Sequence, residues 1–444
     1  MHISRLRIRN IRSITDFEIK LGQGERTGWH VILGDNGSGK SSVIRSIALS
    51  AIGPLDAPAL RQNWSNWLQH GQSRGGIEAD FQADGIDIRL TGIKASKPAI
   101  GASIKASVAI EAGDENVPPF ESETGTRPAS PPIFSKASTI NRTVWANASG
   151  WFAASFGPFR RFSGGDSALE RVFSSNPKAA AHLSAFGEDV ALTEALRWLQ
   201  QLHVRSLESP AGFEGKLKNA VISFANSTDF LPHGARIQEI TSERVLLRDG
   251  DGNAIGVDQM SDGYRSILSL TFELLRQMTL QYGAQTVLDH IDEAAGKIDL
   301  PGVVAVDEID AHLHPAWQKR IGQWFVERFP QLQFFVTTHS PIICQAAAKG
   351  SVWRLPTPGT AEVAGRITGD DLNKLIYGSI LDAFGTQYFG VGVTRSATSK
   401  EMLVELARLN RKSLNQDLER EERSKLEKLR AMLPSTSAKV ADEA

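Results

Sequence analysis

The stretch that most constrains this chain is "WHVILGDNGSGKSSVIRSIAL", residues 29–49. The apolar run "HVIL" reads as a buried strand. It leads into Gly34-Asp35-Asn36-Gly37-Ser38-Gly39-Lys40-Ser41, which fits the pattern G-x-x-x-x-G-K-[ST]. An apolar helix pattern follows, to about Ile52. Glycines lack a Cβ, so backbone N–H groups there can turn inward and approach phosphate oxygens closely. A helix that begins at the loop adds the positive end of its dipole. Lys40 would bring a compact charge to the β- and γ-phosphates, and Ser41 a hydroxyl to Mg²⁺. The expected ATP contacts are Gly34, Asn36, Gly37, Ser38, Gly39, Lys40, Ser41 and Ser42.

A phosphate loop needs acids to complete a reaction, and "GVVAVDEIDAHLHPAWQ", 302–318, offers them. An apolar strand there ends in Asp307-Glu308. Asp307 could hold Mg²⁺ through water, with Ser41, and Glu308 could orient or deprotonate the attacking water. A second buried strand, "FFVTTHSP", puts His339 at its end, where an imidazole could reach the γ-phosphate or the water. No G-x-S-x-G elbow supports reading His339-Ser340 as a hydrolase pair. His312 and His314 have no Cys or further His nearby and read as a turn beside the site rather than as metal ligands.

Composition removes other classes. Among 444 residues, 49 Lys and Arg face 50 Asp and Glu, a net charge of −1, so the chain has no overall basic coat. Arg5, Arg7, Arg9 and Arg12 alternate along the first strand and read as exposed positions on a sheet edge, with a local basic face as the alternative. The single cysteine, Cys344, sits in apolar "PIICQAA", reads as a buried small hydrophobe, and allows no internal disulfide. No run approaches the ~18 apolar residues of a spanning helix, and "MHISRLRIRN" lacks a signal-peptide core. The expectation is a cytoplasmic protein without a membrane partner.

The pattern along the chain predicts an N-terminal ATPase lobe with the phosphate loop and a β-meander (1–94). A loop-rich insertion (95–160) and a helical subdomain (161–240) follow. A C-terminal ATPase lobe (241–345) and a helical region (346–444) complete it. "DGDGN", 249–253, lacks the ligand spacing of a calcium loop and reads as a hairpin turn. Residues 261–282 read as a helix. The charged tail is helical without sustained heptads.

Taken in order, "RLRIRNIRSITDFEI", "GDNGSGKSS", "QMSDGYRSILSL", "VVAVDEIDAHLHP" and "FFVTTHSP" resemble the ABC-type AAA-family ATPases of the RecF/SMC/OLD group. More narrowly they resemble stand-alone antiphage-defence ATPases such as the ATPase subunit of Septu (PtuA). The resemblance implies an α/β P-loop NTPase with an ABC-type mixed sheet, a β-meander lobe, a helical insertion and a helical C-terminal tail. It implies that Ser261-Asp262-Gly263 is a signature motif, with Ser261 and Gly263 capping ATP held by another copy. ATP and Mg²⁺ would then join a homodimer or higher oligomer. It also implies Arg12 near the nucleotide, Asp310 in a loop that communicates across the dimer, and a glutamine Mg²⁺ ligand, for which Gln62, Gln69, Gln72 and Gln82 are all available.

"GWFAASFGPFRRFSGG", 150–165, resembles a segment of the same subgroup. Its aromatics read as packed and Arg160 and Arg161 as serving the nucleotide site or an interface; the competing reading is single-stranded nucleic-acid binding. The chain shows no nuclease chemistry of its own, so the resemblance implies a separate nuclease subunit. A transporter ATPase fits poorly, because the path from Lys40 to Ser261 is far longer than in transporter heads. A RecF-like DNA-binding repair ATPase is the alternative.

Overall fold

The computed structural model describes residues 1–91, 94–112, 131–146, 149–160, 172, 175–187, 193–226, 234–389 and 396–433. Its chain contacts divide it into two units, Met1–Gly378 and Ser379–Ala444.

The first unit is built on a six-stranded sheet. Strand order is Gly365–Arg366, Gly350–Arg354, Gly28–Leu33, Leu332–Thr338, Gly302–Val306, Ala153–Phe156. All neighbours are parallel except Gly365–Arg366. Parallel strands with both faces covered carry continuous apolar runs rather than alternation, and "GWHVIL", "GVVAV" and "LQFFVTT" are buried throughout. The register pairs Leu33 with Thr338 and Val306 with both Val336 and Phe156. The carboxyl ends of these strands therefore share one edge, where ligands of such sheets bind.

A five-stranded antiparallel sheet stands opposite, in the order Ile14–Lys20, His2–Ile11, Arg74–Gln82, Ser103–Glu111, Ile133–Phe134. Helix Lys40–Ile52 lies between the two sheets. Its Val43, Ile44, Ile47 and Ala48 join Leu6, Ile8, Ile77 and Phe81 of one sheet and Ile32, Val303 and Phe335 of the other in a single core. Each Val, Leu, Ile or Phe among them, fully buried, contributes about 1.5–3 kcal/mol. On the far face of the mixed sheet, Trp29 stacks on Phe325 of helix Pro315–Arg328 (ring centroids 6.4 Å apart).

The segment 95–160 supplies more regular structure than its Ala, Ser, Pro and Gly content suggests. "SIKASVAIE" alternates strictly between buried and accessible positions and pairs along its length with Arg74–Gln82. Its buried face, Ile104, Ala106, Val108 and Ile110, is mostly β-branched, as a half-buried strand favours. The loosest stretch, "ENVPPFESETGTRPASPP" (115–132), lies outside the described residues except for its last two.

The first strand corrects another expectation. His2–Ile11 is internal, flanked by Ile14–Lys20 and Arg74–Gln82, so its arginines do not lie on an edge. Arg5 pairs with Glu18 and Glu78, Arg7 with Asp16, and Arg9 approaches Glu78 at 4.0 Å. Cross-strand acids thus offset the basic face.

The helices predicted from periodicity are present at Thr193–Glu208, Phe213–Asn226 and Asp262–Tyr282. "DGDGN" is the predicted turn, with Asp249 Oδ1 accepting from the N–H groups of Asp251 and Asn253. Cys344 is buried, which pushes its thiol pKa upward. Among the described residues no helix is long and apolar enough to cross a membrane. In the second unit, helices Ala397–Asn415 and Arg420–Met432 fold back on one another over Leu409, Leu418, Leu426 and Leu429. Ion pairs Lys412–Glu422 and Lys425–Glu405 join the pair.

Candidate functional site

The phosphate loop leaves Leu33 at the sheet's carboxyl edge and enters helix Lys40–Ile52 through Gly39, at φ 102°. That conformation, and a virtual Cβ only 2.7 Å from Ile14 Cγ1 and 2.9 Å from Ser13 Oγ, leave room for glycine alone. Lys40 is buried, and its Nζ donates to the carbonyls of Gly34 (2.8 Å) and Asp35 (3.0 Å). Burial lowers its pKa, while the carboxylates of Glu308, Asp307, Asp35 and Asp310 raise it, which puts the ammonium within their field. Ser38 Oγ is buried without a hydrogen-bond partner beneath the loop. An unpaired buried hydroxyl is costly, and this one fits a cradle for phosphate oxygens.

Asp307 and Glu308 follow Val306 at the same edge. Asp307 is 3% exposed, and among the described residues no ion pair is made to it. Thr337 Oγ1 donates to Asp307 Oδ1 and accepts from Glu308 N–H at 2.8 Å. Glu308 has φ +45°, a left-handed conformation that is rare outside glycine. Asp310 Oδ1 is buried without a partner. Ser41 on the helix and Asp307 on the strand offer the hard oxygen donors that Mg²⁺ prefers. His339 is exposed immediately after the strand, and its neighbour Ser340 donates to Gln318 Oε1 at 2.6 Å.

Arg12 also has positive φ (51°). Its N–H donates to Trp67 O at 2.9 Å, and its guanidinium lies 5.3 Å from the centre of the Trp67 ring. Burial and the charge of Arg45 depress its pKa to about 10. The two residues that follow it, Ser13 and Ile14, rest on Gly39. With Thr15, Ser38 and Gln69 they line a cleft of about 370 Å³. Of the four glutamines, Gln69 enters this cleft. The Gln62 amide donates to Leu60 O and Phe186 O, and that of Gln82 to Ser4 Oγ.

Ser261 and Gly263 lie at the N-terminus of helix Asp262–Tyr282. They line, with His312, Leu313, His314 and the helical Trp317, a cavity of about 300 Å³ that shares no lining residue with the cleft beside the phosphate loop. Gly263 lies against His312 O, which a Cβ would meet at 3.0 Å. His314 caps helix Pro315–Arg328, its Nδ1 accepting from Ala316 N–H, in keeping with the turn reading of this pair.

In the 150–165 segment, Trp151, Phe152 and Phe156 are buried and Phe159 is 41% exposed. Arg161 and Phe162 lie outside the described residues. Arg160 is buried and bonded to the backbone beside Asp307 and Glu308. Sequence reasoning missed Thr337 altogether; its only signal was a hydroxyl inside an otherwise apolar strand, "FFVTT".

Two family models match, one described as "AAA domain" over residues 5–142 and one as "AAA domain, putative AbiEii toxin, Type IV TA system" over 181–345. The Septu protein PtuA of Bacillus mycoides is 23% identical over 362 residues, 79% of this chain and 40% of that protein. The "Retron Ec83 probable ATPase" of Escherichia coli is 32% identical over 126 residues, 28% of this chain and 22% of its own length. The matches thus span less than half of either relative. An SMC head bound to the C-terminal winged-helix domain of ScpA aligns at 15% identity and TM-score 0.46, covering 83% of this chain and 98% of that one. RecF aligns at 11% identity and TM-score 0.40, covering 83% and 98%. The chain carries AAA-family ATPase domain sequence on both sides of its centre and is homologous to the Septu PtuA and retron ATPases.

Proposed function

We propose that this chain binds and hydrolyses ATP as a switch that joins copies of itself, as the ATPase subunit of an antiphage-defence complex. The observation that carries the reading is the placement of Lys40 within the field of Asp307 and Glu308, at one sheet edge and above an unpaired Ser38 hydroxyl. The triphosphate rests on the amides of Gly34–Ser42. Lys40 exchanges the carbonyls of Gly34 and Asp35 for β- and γ-phosphate oxygens. Mg²⁺ held by Ser41 and Asp307 would neutralise phosphate charge. Glu308 takes a proton from water as the water oxygen bonds to the γ-phosphorus and the bond to the bridging oxygen breaks, releasing ADP and phosphate. His339, exposed beside it, steadies the water or the γ-phosphate. Arg12, next to the Ser13–Ile14 turn that rests on Gly39, would add a charge near the phosphates.

Ser261 and Gly263 line a cavity that shares no residue with the cleft beside their own phosphate loop, which supports their use on the nucleotide of a second copy. The homology to Septu and retron ATPases supports the defence setting and a separate nuclease as effector. The pairing of Arg5 and Arg7 with acids weighs against the DNA-binding repair reading. Two experiments test this. Lys40→Ala should weaken binding of a fluorescent ATP analogue at least about 100-fold, and unchanged affinity would contradict the site. A nuclease encoded beside this gene should co-purify with the chain; stable separation of the two under all nucleotide conditions would remove the partner.

A further inference from the structure

Arg160 is 4% exposed, and its guanidinium is spent on one task. Nη1 donates to Gly157 O (2.9 Å) and Asp307 O (2.8 Å), and Nη2 to Glu308 O (3.0 Å) and Ile309 O (3.4 Å). Nε donates to Ser266 Oγ at 3.1 Å, on the helix that begins at Ser261 and Gly263. A buried arginine ordinarily meets a carboxylate. Here the carboxylates of Asp307, Asp310 and Glu308 act only through the field, and the five bonds go to four carbonyls and one hydroxyl.

The planar fork fixes the relative positions of everything it touches. Three of its carbonyl partners are consecutive, at the turn where Glu308 has positive φ. Thr337 holds the N–H of Glu308 and Arg160 holds its carbonyl, so the strained residue is pinned at both ends. The fifth bond ties that turn to the helix bearing Ser261. A shift of this helix along its axis must either break the Ser266 bond or pull on the Glu308 carbonyl.

We propose that Arg160 is a positioning residue that couples the signature helix to the Asp307–Glu308 turn of the same chain. Engagement of the Ser261 end by a second copy is then felt at this chain's own hydrolytic acid. The inference deepens the ATPase reading and rests on it.

Ser266→Ala removes only the link to the helix, and Arg160→Lys removes the fork. Both should bind ATP within about twofold of the parent chain and associate normally with a non-hydrolysable analogue. At protein concentrations that saturate association, kcat should fall about fivefold for Ser266→Ala and tenfold or more for Arg160→Lys, with KM little changed. Should Arg160→Lys fail to fold, Ser266→Ala carries the test alone. Unchanged kcat in Ser266→Ala, in a chain whose parent hydrolyses ATP and whose Glu308→Gln variant does not, would overturn the coupling and leave the ATPase reading standing. A parent chain with no turnover would sink the reading itself.

Discussion

Thr337 donates its hydroxyl to the carboxylate of Asp307 across two parallel strands. The same oxygen accepts the N–H of Glu308. One hydroxyl thus orients both acids at the sheet edge. Thr337→Val keeps the shape and strands both partners. It should cost about 1–3 kcal/mol of stability, the penalty for unsatisfied buried polar groups. Turnover should fall at least tenfold, and Thr337→Ser should restore most of both. Denaturant melts and steady-state ATPase assays check this; a stable, fully active valine variant would contradict it.

Gly39 combines φ 102° with close contact to Ser13 and Ile14. Gly39→Ala must adopt a backbone disfavoured by about 1–2 kcal/mol and also push the 13–14 turn away. The expected result is a tenfold or larger loss of ATP affinity by titration calorimetry, with little change in helix content by circular dichroism. Native affinity in the alanine variant would show that the loop and turn are not held together as described.

Three buried histidines set an acid limit. Burial lowers His2 and His30 from 6.5 to about 4 and His182 from 6.5 to about 3. His30 Nδ1 lies 2.8 Å from Ser351 Oγ, and His182 Nδ1 lies 2.9 Å from Ser155 Oγ, beside the core strands. The unfolded chain binds these protons first, so the stability due to neutral burial is complete above pH 6.5. It is lost as pH falls toward the depressed values. At pH 5 each should have cost about 2 kcal/mol relative to neutral pH. Chemical denaturation from pH 8 to 5 should show this decline, and His182→Asn should flatten part of it. A flat profile would contradict the neutral buried state.

The legible parts of this molecule were local. Gly34–Ser41 and the apolar run ending at Asp307-Glu308 carry their geometry in consecutive residues, because a tight turn and a buried strand need particular residue types in order. The roles of Thr337 and Arg160 depend on partners in distant segments, brought close only by parallel pairing. Arg5 and Arg7 failed as an edge for a related reason. Alternation identifies a strand and its faces but not its neighbours, and Glu78 comes from another strand of the sheet. Among the glutamines, only the folded chain separates Gln69, beside Ser38, from Gln62 and Gln82.

The most direct test is ATP turnover and self-association of Glu308→Gln, measured together by phosphate release and light scattering. The variant should bind ATP with near-parental affinity, release phosphate at least about 100-fold more slowly, and accumulate as ATP-bound oligomers. Phosphate release at the parental rate would remove Glu308 from the chemistry, and a chain that stays monomeric with ATP bound would contradict the switch.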